Sequence, residues 1–331
     1  MKTFKKLTIG LFAMLVIPVA VYLIFMLLKP AVFARGDVIY LLFVQSIESV
    51  ILGWGMSFGM ISGNFDLSIA AEVSLGTIVA ALSAHKFGIP GLVFGAVATT
   101  MVIGLIKSLI LRIVKTNAMI ISIAYALILG AIGYMITTGK SLVITSEQTV
   151  LARAPWNIIV LVAMGAVMYF LHRFSRFGAH CRAVGGNAKL AASAGIDKYK
   201  TYSKSFLVAS AFAGVSAIIS LSRGAGAAAA TGLQTLTPIF SAMIGVFIGL
   251  MINRWVNVVF GIISGIMTMN IIGYGLLALG VEPDIKNTIT GIFLISLMLI
   301  MAIREKRAAE HTRRELFNAQ KAQRAALEEQ H

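Results

Sequence analysis

The chain is 331 residues long, 58% hydrophobic and only 12% charged, with a mean hydropathy of +0.90 and a formal net charge of +15. Soluble domains carry about 25% charged residues, so no water-soluble core absorbs this composition; at roughly 20 apolar residues per span, a chain of this length holds ten membrane helices. The basic residues sit in short loops between apolar segments and form no basic face interleaved with aromatic and polar readers, which argues against nucleic acid as a partner.

The first apolar run, Leu7–Leu28, follows Lys2, Lys5 and Lys6. It is too long for a secretory signal and lacks a prompt small-residue cleavage site, so it reads as a retained first helix starting in the cytoplasm. Nine further apolar segments follow: Val38–Ser62, Asp66–Ala84, Gly91–Leu111, Ala118–Thr138, Trp156–His172, Ser205–Leu221, Leu236–Ile252, Trp255–Leu279 and Ile285–Ile303. The expected fold is therefore all-α and polytopic, with about ten transmembrane helices in one membrane domain over residues 1–303. The Gly63-Asn64-Phe65 junction reads either as a loop or as a break within one membrane-embedded hairpin.

With the N-terminus inside and ten crossings, the outer side receives only Lys29, Arg35, Lys86, Lys140, Arg153, Arg223 and Lys286 of the 28 lysines and arginines. All the others, Lys107, Arg112, Lys115 and Arg254 among them, fall on the cytoplasmic side. Cytoplasmic loops are enriched in Lys and Arg, so the high net charge is a signature of topology, with both termini in the cytoplasm of a bacterial inner membrane. The longest polar interruption, residues 172–204, falls on that side too. Its middle carries helix formers between Asn187, a plausible N-cap, and Gly195, a C-terminal stop, and predicts a short surface-lying helix. Residues 304–331 form a charged tail, read as solvated and weakly amphipathic around Leu316, Phe317 and Leu327.

Few ionisable groups fall within the apolar segments. Glu48, Asp66 and Glu72 are the acidic ones, and a charge near the bilayer centre costs at least about 2.5 kcal/mol, so each is expected to face protein or a water-filled path. Asp66 is also placed to cap the helix that follows it. Gly55, Gly59 and Gly63 repeat every fourth residue, as do Gly245/Gly249 and Gly261/Gly265, which predicts close helix packing. Cys181 is the only cysteine and reads as a bystander. His85, His172, His180, His311 and His331 lack the close pairing from which zinc sites are built, so no metal is expected. No phosphate-binding Gly-x-x-x-x-Gly-Lys-[Ser/Thr] loop and no nucleophile elbow is present, so no catalytic residues are assigned and any energy for transport comes from an ion gradient or another subunit.

Two stretches carry a resemblance. Ile61-Ser-Gly-Asn-Phe-Asp-Leu-Ser-Ile-Ala70 resembles the Ser-Gly-Gly-Ile-Asp-Leu-Ser-Val-Gly pattern of permeases in the ribose, xylose and galactose class of ABC importers. Arg182-Ala-Val-Gly-Gly-Asn-Ala-Lys-Leu-Ala-Ala-Ser-Ala-Gly-Ile-Asp197 resembles the Ala-x-Gly-Gly-Asn-x-x-Ala-Ala-x-x-Ser-Gly-Ile loop with which those permeases dock on their ATPase. The chain departs from that class at Asn64, where glycine is usual, and at Ile244–Val256, where only Gly245 and Gly249 remain of a glycine-rich run.

The resemblance implies ten helices with an inverted repeat and a cytoplasmic coupling helix. It also implies a second permease copy or paralogue, two cytoplasmic ATPase subunits that bind ATP and magnesium, and a periplasmic or lipoprotein solute-binding protein. The solute would be a small polar molecule, a pentose or hexose first, with nucleosides, a furanosyl signalling molecule or branched-chain amino acids behind. By the same resemblance Gly185, Gly186, Asn187, Ala191, Ala192, Gly195 and Ile196 would contact the ATPase. Gly63, Asp66, Leu67 and Ser68 match the early motif. With Asn64 and the carboxylates of Glu48 and Glu72, they form the candidate translocation pathway, in contact with membrane lipid around it. The competing reading is an ion-coupled secondary transporter that uses Glu48, Asp66 or Glu72 as its coupling carboxylate.

Overall fold

The computed structural model describes residues 2–229, 237–253, 256–300, 302–303 and 310. The charged tail, Glu310 apart, lies outside the described residues, as do Arg254 and Trp255 of the departing stretch. The chain groups into two compact units, Met1–Lys286 and Asn287–His331.

In chain order the helices are α1 (Lys2–Leu28), α2 (Pro30–Phe33), α3 (Gly36–Ser62), α4 (Ile69–Val114), α5 (Ala118–Thr137), α6 (Trp156–Arg173), α7 (Arg176–Gly186), α8 (Ala188–Ser193), α9 (Lys198–Gly224), α10 (Thr237–Met251) and α11 (Val258–Ala278). A further apolar helix covers Pro283–Ile300. One short antiparallel pairing joins Leu142–Val143 to Gly226–Ala227. Seven helices among the described residues are long and apolar enough to cross a membrane, and Met14–Leu28 and Ile239–Met251 are shorter apolar helices. The protein is a nearly all-α polytopic membrane protein.

The 46 residues of α4 would reach about 70 Å if straight, more than twice a bilayer core. They do not run straight. Gly88 has φ 63° and ψ −145°, a conformation open to glycine and costly for other residues, and the chain turns back there just before Pro90. A β-carbon at Gly95 would lie 3.2 Å from the Ala80 Cα, so the two arms pack antiparallel through small residues. With α4 counted as two arms, the apolar helical segments among the described residues number ten, in the order the sequence predicts.

Helix α9 is the centre of the first unit, packed most extensively on α4 and then on α3. Lipid tails are as apolar as leucine, so helices in a bilayer associate through small residues and buried polar contacts rather than through hydrophobic expulsion. The sequence of α9 follows that rule, with Ser203, Ser205, Ala209, Ser210, Ala213, Gly214, Ser216 and Ala217 all buried. A β-carbon at Gly55 would lie 3.2 Å from the Ala209 Cα, and one at Gly214 3.0 Å from the Val97 Cα. Ser108 and Ser203 exchange hydroxyl-to-carbonyl bonds of 2.9 and 3.0 Å between α4 and α9.

Helices α10 and α11 cross where Gly245 and Gly249 meet Gly261 and Gly265 backbone to backbone, as their spacing predicts. The other stripe is only partly a packing face. Gly55 meets α9, but Gly63 lies beyond the end of α3 in the left-handed region, with nothing near it.

The glycine crossing gives a direct test. A β-carbon at Gly249 would stand 2.6 Å from the Ile262 backbone nitrogen, whereas one at Gly273 meets nothing within 4 Å. Gly249→Leu is expected to cost about 2 kcal/mol or more from overpacking, and Gly273→Ala to be neutral or mildly stabilising. Thermal unfolding of the detergent-solubilised chain measures both, and equal midpoints for the two variants would contradict the crossing.

Candidate functional site

The segment between α3 and α4 is short, closes α3 at Gly63, and is buried apart from exposed Gly63 and half-buried Phe65. The N-cap of α4 is Ser68, with no side-chain capping bond, rather than Asp66. Gly63, at φ 79°, closes α3 with its N–H on the Met60 carbonyl at 3.2 Å, and the Asn64 N–H reaches the Gly59 carbonyl at 2.8 Å. The junction therefore reads as a tight loop between two helices. Asp66 then turns the chain into α4: its Oδ1 accepts the Ser68 N–H at 3.0 Å and the Ser68 hydroxyl at 2.7 Å.

Onto this turn comes a lysine from the second arm of α4. The Lys107 ammonium donates to Asp66 Oδ2 at 2.6 Å, to the Ser68 hydroxyl oxygen at 2.9 Å and to Glu72 Oε1. Ser210 of α9 donates to the other Glu72 oxygen at 2.6 Å, and the ammonium lies 4.6 Å from the Phe206 ring centre. The side chains of Lys107 and Glu72 are 0% exposed and that of Asp66 4%. Every carboxylate oxygen of the pair has a donor, which is the condition for keeping charge out of water.

This cluster corrects the sequence reading in one place. Lys107 is not a cytoplasmic loop charge but the buried counter-ion of Asp66 and Glu72. Arg223, assigned above to an outer loop, is in the last turn of α9 and pairs with Glu48 at 2.9 Å. Removing one residue from each side leaves the charge bias intact. Glu48 does not join Asp66 and Glu72. Its half-buried ion pair is 13 residues along α9 from Ser210, about 20 Å away along the helix.

The loop over residues 172–204 contains two helices. Gly185 of α7 has its backbone pressed on the Ile61 carbonyl at the end of α3, leaving no room for a side chain, and Cys181 on the same helix is fully buried. Burial pushes the Cys181 thiol up to about 12, which makes it inert at neutral pH. Asn187 caps α8, its Oδ1 accepting the Lys189 and Leu190 N–H groups at 3.0 Å each. Gly195, at φ 79°, ends it, with the Ile196 N–H on the Ala191 carbonyl at 2.9 Å. The seven loop residues thus divide. Gly186, Asn187, Ala192 and Gly195 are exposed, Ala191 is buried, Ile196 is half-buried and Gly185 is committed to α3. Among the described residues there is no group of three or more His, Cys, Asp or Glu that could hold a metal.

The family described as branched-chain amino acid transport system / permease component matches residues 38–303. The chain belongs to this family. Relatives match most of its length at low identity. The D-allose transport system permease protein of Escherichia coli is 27% identical over 302 residues, which is 87% of this chain and 89% of the relative. The L-arabinose transport system permease protein of the same organism is 24% identical over 262 residues, 76% and 78% of the two chains. The galactose/methyl galactoside import permease protein of Haemophilus influenzae is 22% identical over 287 residues, 78% and 84%. No solved structure matches the chain. As a permease component, the protein is a transport subunit rather than an enzyme.

Sequence reasoning missed three of the permease's notable side chains. Lys107 was hidden because it lies seven residues before the end of α4, near enough to a helix terminus to pass for a loop charge. Ser210 was one small polar residue among many. Leu190, 68% exposed on α8, lies in a stretch whose alanines drew attention away from it.

The charge cluster makes an asymmetric prediction. Lys107→Met leaves two buried carboxylates without a cation and is expected to cost about 3–5 kcal/mol. Glu72→Gln leaves a balanced Asp66–Lys107 pair and is expected to cost far less, and the Lys107→Met/Glu72→Gln double variant to recover part of the loss. Thermal midpoints and folded yield in detergent measure all three, and a Lys107→Met protein as stable as the parent would show the cluster to be dispensable.

Proposed function

We propose that this permease is the membrane-spanning subunit of an ATP-driven importer for a small polar solute of the sugar class. The relatives named for allose, arabinose and galactose support the solute class. Family membership implies ATPase and solute-binding partners in general. In the proposed assembly, two cytoplasmic ATPase subunits bind ATP and magnesium, two permease chains, identical or paralogous, surround one pathway, and a solute-binding protein delivers from outside. The termini and the loop over residues 172–204 face the cytoplasm of the inner membrane.

The observation that carries the proposal is the packing of α7 against α3, with α8 joined to α7. Helix α8 offers an exposed apolar side chain, Leu190, beside exposed Asn187 and Ala192, as a partner's cleft requires. Behind it, Gly185 abuts Ile61, two residues before Gly63 and five before Asp66. Closure of the ATPase pair on ATP displaces α8 as a unit, and α7 passes the displacement to the end of α3 and the junction beside the charge cluster. The pathway then changes the side to which it is open. Ion coupling is disfavoured by the same geometry, because neither Asp66 nor Glu72 has an oxygen without a donor.

Ala192→Arg places a long charge on the docking face without touching the α3 contact. Uptake is expected to fall roughly tenfold or more, the equivalent of at least about 1.4 kcal/mol of docking energy, while ATP hydrolysis by the ATPase and the membrane level of the permease persist. Parental uptake at parental expression would remove the loop from the coupling path.

Sidedness has its own test. Cys181 is buried and inert, so Ala192→Cys supplies one reactive thiol, expected to react with a membrane-impermeant maleimide in inside-out vesicles and to be protected in intact cells.

A further inference from the structure

A cavity of about 470 Å³ opens where three connections meet: the Gly63-Asn64-Phe65 junction, the turn from α4 to α5, and the start of α9. Its lining is rich in donors, with Lys115, Thr116, Lys198, Tyr199 and Tyr202 around Asn64. Two long helices, α5 and α9, begin on it, and helix N-termini carry partial positive charge, with Asn117 and Asp197 already accepting N–H groups of the two first turns. Asn64 is only 3% exposed, and its amide nitrogen has no hydrogen-bond partner. A buried donor left unpaired costs about 1–3 kcal/mol, and this one is closed off from the cavity, so the charge available to a ligand is that of the two lysines.

We propose that this cavity is an oxyanion site that binds the phosphate of an anionic phospholipid headgroup. The inference rests on the reading above only for placing the site in the cytoplasmic leaflet. The acid beside the cavity, Asp197, is already engaged as the cap of α9: its Oδ1 accepts the Tyr199 N–H at 2.8 Å and the Lys200 N–H at 3.1 Å. One carboxylate against Lys115 and Lys198 leaves the mouth net positive.

The choice of a lipid over a soluble anion comes from what borders the cavity. Ile113 and Val114 precede Lys115 at 77% and 59% exposure, and Met119 and Ile120 follow Asn117 at 44% and 65%. Acyl chains would lie along these side chains while the headgroup sits among the lysines, the arrangement by which basic pockets between membrane helices hold anionic lipids. A binding site here would make the mobility of the junction beside Asp66, and hence transport, sensitive to the anionic lipid content of the membrane.

The test uses the full chain in nanodiscs of phosphatidylcholine with a minority of phosphatidylglycerol, with retained lipid read by native mass spectrometry. Phosphatidylglycerol is expected to be retained preferentially. At about fivefold per lysine, Lys115→Gln/Lys198→Gln is expected to lower the preference roughly 25-fold. Both lysines are exposed, so the variant is expected to fold. Lys140→Gln, an exposed lysine outside the cavity, is expected to leave the preference unchanged.

Equal retention in the double variant and the parent, or an equal loss with Lys140→Gln, would overturn the site. Inorganic phosphate at millimolar concentration is the second arm. Failure to displace the lipid supports the headgroup as the source, and displacement at that concentration would reassign the cavity to a free anion. Loss of ATPase co-purification in the double variant with lipid retention intact would make the cavity a protein contact and overturn the proposal. None of these readouts depends on uptake, so the site and the importer reading fail separately.

Discussion

The Lys107 ammonium, fully enclosed between two carboxylates, is the constraint around which the first unit is arranged. A lone buried charge would be intolerable, so the three charged residues must arrive together, and their backbones are fixed by that requirement. Asp66 comes from the junction after α3, Glu72 from the first arm of α4, Lys107 from its second arm, and Ser210 completes the site from α9. One residue beyond Lys107, Ser108 locks onto Ser203, and one turn before it Gly104 admits the Ser210 side chain. The small residues of α9 follow from the cluster as much as they cause it, because bulkier side chains would hold the ammonium away from its partners.

The helices surrounding the cluster are also the ones touched from the loop side. The contacts run without a gap from α8 through α7 to the Ile61 carbonyl, across the capped turn at Gly63 and Asn64, to Asp66. Each step is backbone packing, a backbone hydrogen bond or the chain itself, and close-packed interiors transmit strain. A rigid chain of contacts ending on a saturated charge cluster makes the junction a place where small shifts carry a large electrostatic penalty. That is a physical reason for such a structure to prefer discrete arrangements over gradual ones.

Much of the fold was legible because membrane helices write themselves in composition. The ten apolar segments, the cap at Asn187, the stop at Gly195 and the packing role of the glycine pairs on α10 and α11 follow from local rules, whereas the pairing of those glycines with each other comes from the fold. The site was half legible. Asp66 and Glu72 stood out as acids in apolar surroundings, but nothing in the sequence says that the cation they need lies 35 residues beyond Glu72, since that pairing depends on the fold-back at Gly88. Arg223 was lost for the same reason, because its partner Glu48 is 175 residues away. The loop glycines show the opposite limit. Gly185 and Gly195 look alike in a motif, yet one is required by the closeness of Ile61 and the other by its own positive φ.

The two ion pairs on α9 differ in a way that bears on mechanism. The Lys107 cluster is sealed and fully hydrogen-bonded, whereas Glu48 and Arg223 retain 20% and 39% side-chain exposure toward the opposite end of the helix. An ion-coupled carrier needs a carboxylate that exchanges its bound proton or cation with water from each side in turn. The sealed pair has no open oxygen, and the open pair already holds an arginine, which does not release its proton at physiological pH. Neither carboxylate site is therefore arranged to cycle an ion. On the proposed reading the driving force enters instead by mechanical work on the backbone, with the exposed helix α8, joined to the α3 contact of Gly185 through α7, as its handle.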